Sequence, residues 1–62
     1  MKYTFNFVDM FDADIFSKNY EFDNLNDAEQ HAKRLLAEDM NNAVCVEITS
    51  EDYSVIRHRV NK

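Results

Sequence analysis

Cys45, His31 and His58 are the residues whose types could combine in nucleophilic catalysis, a thiolate beside an imidazole base. Their setting argues against that chemistry. Cys45 lies in the run Val44-Cys45-Val46, where a free cysteine behaves as a small hydrophobe. No basic neighbour in sequence favours its thiolate, and no Asn or Asp is spaced to orient a base. The same three residues lack the short paired spacings of zinc ligands. Asp9, Asp12 and Asp14 supply hard oxygen donors within one short loop. A calcium loop of EF-hand type needs a glycine at its sharp turn and a distal bidentate glutamate, and this sequence has neither. A solvated acidic turn is the expectation. No catalytic, cofactor-binding or metal-binding residue is assigned, and the chain reads as non-enzymatic.

Arg57-His58-Arg59, with Lys62, is the basic cluster. Its charges alternate across both faces of a strand-like segment, which suits protection of a sheet edge better than a phosphate patch. The more telling motif is Met10-Phe11 set among Asp9, Asp12 and Asp14. Two large apolar side chains at a turn must either fold back onto the core or enter a partner. An aromatic anchor with a polar rim is the usual composition of an interface hot spot. A core cap is the competing reading for Phe11, because a chain this small needs its aromatics inside. The candidate partner-binding residues are Asp9, Met10, Phe11, Asp12, Asp14, Glu21 and Asp23.

The elements that would position these groups must come from 62 residues, enough for one domain over 1–62. A domain of that size buries only about 60% of the surface its unfolded chain exposes, which leaves little room for a deep substrate pocket. There is no glycine, proline or tryptophan, but there are eight Phe or Tyr to build a core. One cysteine permits no internal disulfide and suits a reducing cytoplasm. Met1-Lys2 leads into Tyr3-Thr4-Phe5-Asn6, unlike a secretory leader, and no apolar run approaches a membrane span. A cytoplasmic protein without membrane contact is expected.

The net charge is -5, and it is unevenly placed along the chain. Residues 1–31 hold Asp9, Asp12, Asp14, Glu21, Asp23, Asp27 and Glu29 against Lys2 and Lys18, whereas residues 32–62 hold five of each sign. Such a chain repels phosphate backbones, so direct nucleic-acid binding is disfavoured. Basic partners, including nucleic-acid-binding proteins, are favoured by electrostatic steering.

Period-two alternation with aromatic enrichment predicts a strand over Lys2–Asp9, with Tyr3, Phe5 and Phe7 on one face, and a second over Ile15–Phe22. Met10 to Asp14 is the turn between them. Asn26 is the expected helix cap, with Glu29 completing a capping box and Glu29–Lys33 spaced as an i,i+4 pair. Ala28, Ala32, Leu35 and Leu36 form the apolar stripe, and Asn41-Asn42 the stop, with Asp39 falling awkwardly on that stripe. Ala43–Thr49 predicts a third strand, Ser50-Glu51-Asp52 a turn, and Tyr53–Val60 a fourth strand. The fold class is α+β, a single-layer four-stranded antiparallel sheet with one helix packed on it, in the order ββαββ.

Phe5-Asn6-Phe7-Val8-Asp9, Leu25-Asn26-Asp27-Ala28-Glu29 and Val44-Cys45-Val46-Glu47-Ile48 resemble a small bacterial ββαββ family of unknown function. The resemblance implies this fold over nearly the full chain and brings no catalytic residues; the glycine of that family's first hairpin is absent here. In size and charge the chain also resembles anti-CRISPR proteins and other DNA-mimicking inhibitors. That resemblance implies a phage or mobile-element inhibitor occluding the nucleic-acid-binding surface of a host protein, with carboxylates occupying its Lys/Arg groove. The alternative is a structural or housekeeping domain that forms a homodimer through a sheet face.

Overall fold

In a computed structural model, which describes residues 1–38, 42–51 and 57–62, the elements follow the order ββαββ. They are β1 (Lys2–Val8), β2 (Asp14–Glu21), α1 (Leu25–Ala37), β3 (Cys45–Ser50) and β4 (His58–Asn61). The strands form one antiparallel sheet in the order β2-β1-β3-β4, with α1 packed on one face. The fold is therefore α+β, as the alternation and the helical stripe imply.

Alternation on β1 decides which face is buried. Tyr3, Phe5 and Phe7 are buried, and their β3 partners include Ile48 opposite Phe5 and Val46 opposite Phe7. On α1 the residues meeting them are Ala28, Ala32 and Leu36, with Leu35 half-buried beside them. Two alanines let the helix backbone approach the sheet, so the aromatic rings of β1 supply the bulk of the core. On the other face Asn6, Glu47 and Arg59 stand in one cross-strand row, and Thr4 donates a 2.9 Å hydrogen bond to Asn19. Val8 and Cys45, paired on that same face, are nonetheless buried.

Several boundaries differ from the sequence reading. The helix cap is Asn24, not Asn26. Asn24 has extended backbone angles, and its Oδ1 accepts a 2.9 Å hydrogen bond from the Asp27 amide. Starting there puts Leu25 onto the core, which capping at Asn26 would not do. Glu29 closes no capping box; its Oε2 lies 3.1 Å from His58 Nε2 on β4. The helix ends at Ala37 with Glu38 as its cap, earlier than the expected stop at Asn41-Asn42; Asn42 takes a left-handed conformation, with φ 62°, but in the connection to β3 and not at the helix end. β2 begins one residue early, at Asp14, because a register shift opposite Phe7 and Val8 pairs Asp14 with Val8. β3 begins at Cys45, although Ala43 is still buried. Asp39, Asn41 and residues 52–56, which include half of the expected fourth strand and part of the turn before it, lie outside the described residues.

Candidate protein-binding surface at the first hairpin

The loop between β1 and β2 is closed by its own first aspartate. Asp9 Oδ1 accepts hydrogen bonds from the amides of Phe11 (2.8 Å) and Ala13 (3.0 Å). The backbone adds Asp9 N–H to Ala13 O at 3.0 Å and Asp12 N–H to Asp9 O at 3.1 Å. An Asx-type closure of this kind replaces turn chemistry that glycine would otherwise supply. Asp12 takes the one left-handed position in the loop, with φ 63°. Short polar residues tolerate that conformation better than any other non-glycine type.

The consequence is a fixed turn that holds its apolar residues outward. Met10 is 73% exposed and Phe11 82% exposed. Phe11 therefore does not cap the core, and of the two readings open in the sequence the structure leaves the outward one. Beside the tip runs an open cleft of about 390 Å³, lined by Asp9, Met10, Phe11, Asn42, Val44 and Lys62.

The three tip aspartates are already engaged. Asp9 closes the loop, Asp14 accepts a 3.0 Å hydrogen bond from Asn6 Nδ2, and Asp12 Oδ1 lies 3.8 Å from Arg59 Nη2. Glu21 and Asp23 are elsewhere. Asp14 and Glu21 are the two ends of the eight-residue β2, about 23 Å apart at a strand's rise. The seven candidate residues thus divide into a tip group and a group at the far end of β2, next to the start of α1. They do not make one continuous acidic surface.

Arg57, just before β4, and Arg59 on it are also differently employed than their sequence suggests. β4 is an edge strand, as expected of a charged segment. Arg59 Nη2 donates to Glu47 Oε2 at 3.2 Å, and Arg57 Nε lies 3.5 Å from the same oxygen. Glu47 is only 9% exposed although it faces away from the helix, because these two guanidinium groups cover it. The hydrogen bond to Glu47 raises the affinity of Arg59 for its proton, and the neighbouring Cys45 and Asp12 act in the same direction. This Arg–Glu–Arg arrangement was not read from the sequence. Its signal was Glu47 within an otherwise apolar strand, together with two arginines spaced i,i+2.

Cys45 and the two histidines do not meet. Cys45 lies on the face away from the helix, whereas His58 pairs with Ile48 on the helix side and reaches Glu29. His31 packs edge-on against Tyr20, with ring centroids 4.9 Å apart, and lies 5.3 Å from Phe22. Among the described residues no cluster of three or more His, Cys, Asp or Glu is placed to hold a metal ion. No described helix is long and apolar enough to cross a membrane.

The arrangement defines a small α+β domain that presents an ordered apolar turn. No protein-family model matches the chain, and no curated protein or solved structure matches it significantly.

Proposed function

We propose that this chain is a non-enzymatic protein-binding module that inserts Phe11 and Met10 into an apolar pocket of a basic, nucleic-acid-binding protein. Seated there it acts as an inhibitor, of the kind phages and mobile elements encode, by covering the partner's nucleic-acid-binding surface. The observation that carries this reading is the exposure of Phe11 on a turn fixed by two hydrogen bonds to Asp9. A rigid aromatic loses little conformational entropy on binding, which is why such residues dominate hot spots. The net charge of -5 favours a basic partner by steering.

The inhibition is steric more than imitative. Arg59 stands beside Asp12, Asp9 and Asp14 accept hydrogen bonds within the hairpin, and Glu21 and Asp23 lie at the other end of β2, so a phosphate-like row is not what the tip offers. The test is site-specific photocrosslinking with benzoylphenylalanine at position 11 in cells, followed by purification of the captured protein. Phe11→Ala should then weaken its binding at least tenfold, mainly through faster dissociation, and the intact chain should compete with nucleic acid for it. Capture of the chain by its own copies alone would replace this reading with a homodimer. Simultaneous binding of nucleic acid and chain would remove the inhibitory part.

A further inference from the structure

Opposite β4, the other edge of the sheet is β2, an eight-residue strand. Its outer backbone N–H and C=O groups are not used by the sheet, and such an edge is a template for another strand. Two further observations concern what would add to it. First, α1 packs mainly over β3 and β4 and reaches the β2 side through His31, which lies against Tyr20 and Phe22. The helix-side residues of β2 are only partly covered: Phe16 stacks on Phe7 at 4.5 Å and Tyr20 lies tilted against Phe5 at 4.7 Å, yet both remain half-buried, as does Phe22. Second, the charges along the strand are ordered. Asp14 stands at one end, Glu21 and Asp23 at the other, and Lys18 in the middle. The Lys18 ammonium lies 5.6 Å from the centre of the Tyr20 ring, so this aromatic strip already accommodates one cation.

We infer that the β2 edge accepts an extended partner segment by strand addition, and that this segment is basic at its ends and apolar at alternate positions. Backbone hydrogen bonds supply the pairing, alternate apolar side chains extend the Phe16–Tyr20–Phe22 strip, and terminal Lys or Arg residues reach Asp14 and Glu21/Asp23. A second copy of this chain fits poorly. The antiparallel self-pairing that opposes Phe16 to Tyr20 also opposes Lys18 to Lys18, and each copy carries -5. Lys18 thus screens out the chain's own strand while leaving a polar or acidic centre acceptable. This surface is separate from the Phe11 turn, and the inference does not depend on the use made of that turn.

The test is a titration of the whole isotope-labelled chain, followed by amide NMR, with an end-capped nonapeptide of alternating threonine and valine carrying lysine at both ends. Saturable binding is expected, with shifts concentrated on residues 14–21 and slowed hydrogen exchange of the outward β2 amides. A peptide N-methylated along its pairing edge should bind at least tenfold more weakly, as should one with glutamate in place of both lysines. Glu21→Gln with Asp23→Asn should weaken the original peptide several-fold, and Phe11→Ala should leave its affinity unchanged, which separates failure of this inference from failure of the turn-docking reading. The inference is overturned by the absence of saturable binding, by equal binding of the N-methylated peptide, by shifts confined to residues 9–13, or by concentration-dependent dimerisation of the free chain through the same β2 amides.

Discussion

Asp12 Oδ1 lies 3.8 Å from Arg59 Nη2, which brings the turn of the first hairpin and the last strand onto one surface. Along the chain these residues belong to an acidic first half and a balanced second half. In space the basic cluster is folded back beside the acids it was separated from. The pair itself is exposed and contributes little stability. Its importance is that it sets a cation beside the three tip aspartates and so weakens the negative potential there. A second group of acids lies where β2 ends and α1 begins, at Glu21, Asp23 and Asp27, and offers a basic partner another point of approach.

Asp9 is a positioning residue for the turn, and substitutions should separate its charge from its hydrogen bonds. Asp9→Asn keeps an Oδ1 acceptor for the Phe11 and Ala13 amides, whereas Asp9→Ala leaves both without it. Asp9→Ala is expected to cost about 0.5–2 kcal/mol, in the range of a lost cap, and Asp9→Asn much less. Urea denaturation measures the difference, and amide shifts of Phe11 and Ala13 report the turn directly. Equal stability of the two variants would mean that the turn does not depend on this carboxylate.

The helix start gives a second discrimination between two asparagines. Asn24 caps the Asp27 amide, while Asn26 stands exposed in the first turn. Asn24→Ala should cost about 1 kcal/mol and Asn26→Ala close to nothing. Thermal melts of both suffice. The reverse order would put the cap two residues later and take Leu25 off the core.

The cap error shows what the sequence carries and what it does not. Asn24 and Asn26 both satisfy the local rule, and the choice is made by tertiary packing, since only the earlier start lets Leu25 meet the core. Strand alternation needed no such arbitration: burying Tyr3, Phe5 and Phe7 together leaves one possible face, and the ββαββ order followed. Glu47 is the opposite case. It alternates outward and is buried anyway, because Arg57 and Arg59 reach it from a strand ten or more residues away. Phe11 was legible as exposed only through the loop's hydrogen bonds, as its hydrophobicity alone points inward. Long-range pairing and side-chain closure of turns have no local signature, and the site depends on both.

Leu36 and Leu35 stand together on the apolar stripe but differ in cover. Leu36 is 1% exposed, and Leu35 is only partly buried against the core. Leu36→Ala should cost about 2–5 kcal/mol, enough to unfold a domain of ordinary marginal stability, and Leu35→Ala distinctly less. Circular dichroism during urea titration of the two variants gives the order. A larger loss at Leu35 would rotate the helix relative to the sheet described above.

Cys45 tests the face of the sheet away from the helix. It is 4% exposed, lies beside Val8, and is close enough to Arg59 to influence that guanidinium. Burial shields the sulfur from any reagent larger than water. An aromatic disulfide must reach the sulfur before it can react. Labelling of the native chain at neutral pH should therefore be slow and should rise with urea in parallel with unfolding. In Arg59→Ala, which uncovers this part of the face, labelling should accelerate before any loss of secondary structure. Rapid labelling of the unaltered chain in native buffer would mean that Cys45 is open to solvent, contrary to its burial beside Val8.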